Sequence, residues 1–562
     1  MLAWVEFGLL LRFTYVHYAL LDDVTLARSI AGFWGGAAIP FSTHIHTLLA
    51  YPLAGLYTLA PAVPWFGVAQ AAMLLFASAL VTKALMQLLA RLARPAWLGI
   101  PLSLLFQAAF LVEGSTSVTY TVTSAILASA AIMQLFAVDL AAPQGRARGL
   151  ALSLVPILLG YLLRQVSALP ALAVWLLAAA IRVCMLPGAA RMRVLRQSRR
   201  FMLMVSVIGI GLVLVRQADI AWQNQQGLLR WQRARIQLTD FDQTNRLAPE
   251  DLAAVGWTPA ELALYRTWYF WDANMDEATL TALHARYQAL PAQEDHPGML
   301  RGVWRAFLRL DATSEAFAHW WKAALLLAGL ACLGALAAGE RHVLGYAAPL
   351  LILLAAALLL GYLALQGRFP RRVAAVVLFP ALAALYALVL ERFPRRCGAR
   401  TLLPAAAALV CVAVMAGAAQ TAARYYINPT ADNFPTAQEA DVAYAAAHPG
   451  QLLFVDSTVP IPKALFAPTP RTANLIPLQS WDSRAPGMLA TLAAFGLDGL
   501  DFSITALLGE DVRLLSAQPA PQPELLAYLT ERAGVPVVAD AAGRAGNLYV
   551  IRLRAAQPVA AP

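Results

Sequence analysis

The sequence predicts a polytopic α-helical membrane protein with two aqueous units, a helical insert and a small C-terminal α/β domain. Three observations predict it. Hydrophobic residues make up 60% of the 562 positions and charged residues 13%, against about 25% charged in soluble domains. Roughly eleven apolar runs approach the ~20 residues that a helix needs to cross a ~30 Å hydrocarbon core. Finally, the stretches 219–319 and 422–562 are too polar and too long to be connecting loops. Mean hydropathy over the chain is +0.61.

Taken in order, the first run, 2–21, lacks a basic leading region and a small-residue cleavage site. It reads as a retained helix rather than a signal peptide, with its natural start expected a few residues upstream. Asp22 and Asp23 then open a first outer loop (22–64). Within it, 43–66 is apolar but broken by Pro52, Pro61 and Pro64. It reads as an interfacial helix, where Tyr57 and Trp65 sit comfortably. Further spans are expected at 65–90, 97–113, 119–140, 149–163, 168–186, 201–218, 320–338, 343–363, 373–390 and 401–421. The chain divides accordingly into an N-terminal membrane module (1–218), the insert (219–319), C-terminal membrane helices (320–421) and the last domain (422–562).

The insert reads as helical. "TPAELALYRTWYF" (258–270) opens with Thr258, Pro259 and Glu261, a capping-box start, and "MDEATLTALHARYQAL" (275–290) starts similarly. Its aromatics, Trp268, Tyr269, Trp271 and Trp304, suit packing first and glycan stacking second. The last domain alternates short apolar runs, "QLLFVDS", "VRLLSA", "VPVVAD" and "LYVIRLR", with helical stretches such as "PELLAYLTERAG", the pattern of an α/β unit. It has no phosphate loop, dinucleotide fingerprint or nucleophilic triad, so it reads as accessory, shaping access or holding an acceptor.

The net charge of +10 does not point to nucleic acid, because the arginines cluster in short loops between apolar runs. With the N-terminus cytoplasmic, Arg91, Arg94, Arg146, Arg148, the 191–200 group, Arg341 and the 392–400 group all fall inside, as membrane orientation requires. Both aqueous units and the Asp pair then lie outside. Cys184, Cys332, Cys397 and Cys411 sit in or beside spans, which implies neither a disulfide framework nor a thiolate metal site.

One loop breaks the orientation rule. "LQGRFPRRV" (365–373) falls outside yet carries Arg368, Arg371 and Arg372, and Arg164 also falls at an outer helix end. Arginine at a lipid boundary is costly unless it snorkels or meets an anion, and guanidinium forks match phosphate oxygens. The natural ligand is a lipid-linked phosphate or pyrophosphate. On the same face, one of Asp22 and Asp23 can deprotonate an acceptor hydroxyl while a lipid phosphate leaves. Alternatively the pair helps hold a divalent cation, Mg or Mn; the pattern demands no other cofactor. Adjacent carboxylates raise one another's pKa, which suits a base near neutral pH. The plain alternative is that Asp22 only caps the following helix. His44, His46 and Glu113 are further candidates for a metal or acceptor, with hydrogen-bonded or solvated structural roles as their plainer reading. "SVTYTVTSA" (117–125) is a hydroxyl-rich helix start able to line a polar cavity.

The order of these features resembles the GT-C type glycosyltransferases, polytopic enzymes that move a sugar from a polyprenyl-phosphate donor to an acceptor outside the membrane. In that superfamily an acidic residue, often one of a pair, follows the first span, where "LLDDVTLARSIAGFWGG" stands here. More narrowly, the chain is similar to a group of bacterial multi-spanning proteins carrying "(N)DD", "GxxGG" and "LYxxxPxVPW", with Leu21 here in place of the Asn. "GYLLRQ", "LTDF", "GRFPRRV" and "NLIPLQSWDSRAP" belong to the same likeness. The resemblance implies inverting transfer in a bacterial inner membrane. Asp22 or Asp23 is then the base, Asp23 favoured, and Arg368, Arg371 and Arg372 face the lipid phosphate. The acceptor is an extracytoplasmic glycan, lipid or protein. Two other readings share parts of the pattern. A lipid-linked glycan flippase or transporter should show internal repeats and midplane charges, which are not clear here. A polysaccharide polymerase or ligase shares the anion site.

Overall fold

The computed structural model describes residues 16–40, 44–108, 112–142, 146–225, 227–240, 243–290, 315–340, 342–365, 371–392, 435–497 and 506–556, with isolated positions before residue 16. Among the described residues, seven helices are long and apolar enough to cross a membrane, and the fold is that of a polytopic helical membrane protein. Strand β1 (His17–Tyr18) is followed by α1 (Leu21–Ala31) and α2 (Thr47–Leu59). Residues 17–21 therefore do not continue the expected first span, most of which lies outside the described residues. The 13-residue α2 carries Pro52. At 1.5 Å per residue it is about 20 Å long, too short to span, as its prolines suggested.

The spans α3 (Trp65–Arg91), α5 (Tyr120–Ala137), α6 (Arg146–Leu163) and α7 (Gln165–Cys184) follow the expected ones closely. Between the first two of these, the expected span 97–113 is broken instead. It begins as the short helix α4 (Gly99–Phe106), and β2 (Ser117–Val118) pairs in parallel with β1 just before α5. A single 38-residue helix, α8 (Gly188–Gln225), contains the expected span 201–218 and continues past the anticipated boundary at 219. Neither Gly209 nor Gly211 breaks it. The second membrane group is α12 (Glu315–Ala337), α13 (Val343–Leu365) and α14 (Arg371–Arg392). The expected span 401–421 lies outside the described residues.

Helices α5 and α14 form the centre of the bundle. Every residue of α5 is buried, and its Ala and Ser positions let neighbours approach closely. At one end of the bundle Arg91 pairs with Glu391, which also lies 3.7 Å from Arg182. Arg182 in turn donates to the carbonyls of Leu135 and Val138. The opposite end carries Asp22, Arg164 and Arg372.

Above that opposite end sit the insert and the C-terminal domain. The insert holds α9 (Leu228–Thr239), α10 (Pro259–Arg266) and α11 (Glu277–Ala289). Thr258 and Glu261 make the expected capping box of α10, and Asp276 caps α11 through the Thr279 N–H. Tyr269 and Trp271 are core residues, whereas Trp268 is 41% exposed; Trp304 lies outside the described residues. The C-terminal domain runs α15 (Pro435–Ala447), β3 (Leu452–Val455), β4 (Leu475–Pro477), α16 (Pro486–Ala494), β5 (Val512–Ser516), α17 (Pro523–Ala533), β6 (Val537–Ala545) and β7 (Leu548–Ala555). Its sheet has the order β4-β3-β5-β7-β6, parallel from β4 to β5 and antiparallel from β5 to β6. Only β4, a three-residue run ending at Pro477, had no strand signal of its own.

Two hydrophobic cores result, one in the bundle and one shared by insert and C-terminal domain. The second core is joined by polar contacts. Asp272 of the insert accepts from Tyr528 and, at 3.0 Å, from Arg532; Trp271 Nε1 donates to the Leu478 carbonyl at 2.9 Å. The two cores interlock. Phe33, Trp34 and Ile39 belong to the upper core, and Leu465 and Trp481 belong to the lower one.

Candidate active site

The Asp pair is not in a loop: both residues occupy the first turn of α1, where carboxylates complement the helix dipole. Leu20 is the N-cap, with extended backbone and no side-chain cap, so capping does not explain Asp22. Successive helical residues point about 100° apart, and the pair accordingly faces two environments. Asp22 Oδ2 lies 3.2 Å from Arg372 Nη2, with its side chain 34% exposed. Asp23 is 0% exposed. Its Oδ1 accepts the Tyr120 N–H at 2.9 Å, while Oδ2 is buried without a hydrogen-bond partner.

Burial pushes the Asp23 carboxyl up to about 8, and the neighbouring Asp22 adds to the rise. The Tyr120 N–H, Arg372 and Arg164 oppose it. An acid so placed exchanges its proton near physiological pH, the condition a general base needs.

Arg164 stands between α6 and α7 as the N-cap of α7. Its guanidinium lies over the Tyr120 ring at 5.1 Å, and Nη1 is 2.8 Å from His44 Nδ1. Arginine can only donate, so His44 accepts at Nδ1 and carries its proton on Nε2. The His44 ring meets Trp481 edge to face at 4.7 Å, and its Nδ1 is 3.4 Å from the Tyr120 hydroxyl. The structure thus gathers Asp22, Asp23, His44, Arg164 and Arg372 with Tyr120 and Trp481 at one end of the bundle.

Other candidates fall elsewhere. His46 is the N-cap of α2, accepting the Leu48 N–H at Nδ1. It faces Asp219 at 3.8 Å, in a separate network with Thr47, Gln165 and Gln223. Burial lowers its pKa, opposed by Asp219, so it serves α2 as a neutral cap. Arg368 lies outside the described residues, as do the side chains of Arg371 and Glu113. The described residues give the Asp pair the following partners. Arg372 occupies the approach to Asp22, a backbone N–H takes one oxygen of Asp23, and no third ligand group joins them among the described residues.

Tyr120 and Trp481 were not singled out by sequence reasoning as site residues. Tyr120 sits in the hydroxyl-rich start of α5, and Trp481 in "NLIPLQSWDSRAP"; both strings carried a signal but no position. The C-terminal domain is also tied to the helix that carries the Asp pair. Asp482 accepts from Ser29 on α1, and Gln232 of the insert donates to the Trp481 carbonyl. Arg471 donates to the Ala31 carbonyl at 3.0 Å, and Tyr18 N–H to Lys463 O at 2.7 Å. The helix carrying the Asp pair is thereby held by the last domain of the chain.

No family model matches the chain, and no curated protein matches it. Among solved structures it is similar to ArnT from Cupriavidus metallidurans in the apo state, with 12% identity and a TM-score of 0.38. It is similar also to the same protein bound to undecaprenyl phosphate, with 12% identity and a TM-score of 0.34. Each comparison covers 98% of this chain and 96% of the other. Likenesses this loose transfer no residue role.

Proposed function

We propose that the protein is a membrane glycosyltransferase that moves a sugar from a polyprenyl-phosphate donor to an extracytoplasmic hydroxyl acceptor, with Asp23 as general base. The observation that carries the reading is the buried, unpaired Oδ2 of Asp23 on the same helical turn as an Asp22–Arg372 ion pair. In the reaction, the acceptor oxygen attacks the anomeric carbon and its proton passes to Asp23. The bond from that carbon to the phosphate oxygen breaks, and the polyprenyl phosphate departs with the electron pair. Arg372 and Arg164 are the cations within reach of the phosphate, and guanidinium groups stabilise the charge it develops. Asp22 holds Arg372 at the site before the donor arrives. The attack comes from the face opposite the leaving group, which inverts the anomeric configuration. The bundle end bearing Arg91, Arg146 and Arg182 faces the cytoplasm under this reading, and the site faces outward.

The test is sugar transfer in membrane vesicles supplied with a panel of undecaprenyl-phosphate sugars. General-base removal costs about 10²–10⁴-fold, so Asp23→Asn should lose at least about a hundredfold in kcat. Arg372→Ala should act mainly on donor KM. Wild-type transfer that Asp23→Asn leaves intact would remove the carboxylate from the mechanism.

A further inference from the structure

Trp481 belongs to the C-terminal domain by sequence, yet its side chain is part of the bundle core at 5% exposure. Its carbonyl is taken by Gln232, and the next residue, Asp482, is tied to Ser29 of α1 and to Ser480. Arg484, two residues further, donates to the carbonyls of Phe270 and Asp272. The segment 480–484 is thus fixed to α1, to the insert and to itself, so the indole is held rigidly beside His44. Yet its Nε1–H is buried with no hydrogen-bond partner.

A buried donor without an acceptor is unfavourable, and packing alone would be served as well by phenylalanine. In the same cluster Asp23 Oδ2 is likewise buried and unpaired. The two are linked through Tyr120, whose N–H meets Asp23 and whose hydroxyl approaches His44, and through His44 to Trp481. An unsatisfied carboxylate oxygen and an unsatisfied indole N–H in one side-chain cluster with guanidinium groups match the acceptor and donor needs of a polyhydroxylated ligand joined to phosphate.

We infer that Trp481 is a sugar-contacting specificity residue, its Nε1–H donating to a hydroxyl of the saccharide carried on the lipid phosphate. The inference rests on the proposed glycosyl transfer and extends the site from the membrane module into the C-terminal domain. Trp481 discriminates lipid phosphate bearing a sugar from lipid phosphate without one, whereas Arg372 serves both.

Binding of two probes to the full-length protein in nanodiscs tests this: bare undecaprenyl phosphate, and undecaprenyl-phosphate hexoses. Trp481→Phe keeps the ring and removes the donor; its thermal midpoint reports whether the fold is kept. It should bind the sugar-bearing lipid roughly three- to tenfold more weakly than wild type and the bare lipid equally well. Trp481→His, which restores a ring N–H, should recover part of the loss. If Trp481→Phe matches wild type on both lipids, or weakens both equally, the Trp481 assignment is overturned while the phosphate reading stands. If wild type binds neither lipid, the glycosyl-transfer reading fails and takes this one with it.

Discussion

Asp23 combines two properties that pull in opposite directions. Its carboxyl titrates at about 8 because it is buried, so the folded state favours the neutral acid. Relative to an unfolded value of about 4, that preference contributes stability that is fully present below about pH 4. It is lost as pH rises through 8. Asp23→Asn removes the ionisation but keeps an oxygen for the Tyr120 N–H. The variant should therefore be as stable as wild type or more so at pH 9, by thermal unfolding, while being the least active. Wild-type kcat should climb through about pH 8 as the base form appears; a rate flat from pH 6 to 9 would count against Asp23 as base. At this scale the sequence was partly legible. Adjacency of two acids beyond a span, facing an arginine loop of the wrong sign, was enough to bring Asp22 and Arg372 together. The partners of Asp23 were not legible, because Tyr120 reaches it through a backbone N–H, which no residue type advertises.

At the scale of the element, "GFWGG" shows why a short motif persists through a fold. Gly32, Gly35 and Gly36 all adopt positive φ, turning the chain out of α1 so that Phe33 and Trp34 enter the upper core. At Gly35 a β-carbon would lie 1.8 Å from Thr491 Oγ1 on α16. Gly227 has a similar φ of +72 but open space around it. Gly227→Ala should thus cost about 1 kcal/mol from backbone strain alone. Gly35→Ala adds a clash between two domains and should cost about 2–4 kcal/mol, read as a lower thermal midpoint. Equal shifts for the two would mean that the contact between Gly35 and α16 is slack. The glycine spacing was visible in the sequence, but what it approaches is 456 residues away and was not. The same locality explains the elements read well and badly. Long apolar runs and the Thr258 capping box declare themselves within one turn, whereas β4 is a strand only because β3 lies beside it.

For the whole molecule, the alternation of helix ends sorts the polar residues into two groups. Arg91, Arg182 and Glu391 cluster at one end, and Asp22, Arg164 and Arg372 at the other. A reporter that is active only outside the cytoplasm, fused after residue 148, should be silent, and fused after residue 556 it should be active. The reverse pattern would turn the site toward the cytoplasm and exclude an extracytoplasmic acceptor. Membrane class and helix order were legible because hydropathy and arginine placement act over whole spans. That the C-terminal domain anchors α1 was not, because hydrogen bonds such as Ser29–Asp482 and Ala31–Arg471 join residues 453 and 440 positions apart.

Those contacts also impose an order in time. Strand β1 is made before all the described spans, yet Tyr18 and Val16 find partners in Lys463 and Leu465, which follow those spans in the chain. A nascent chain that has inserted its Asp pair still lacks the segment that anchors α1 and supplies Trp481. Synthesis that stops before Lys463 leaves β1 and α1 without the partners that hold them. Anchoring of the Asp pair thus comes only after the described membrane helices from α3 to α14 have been made.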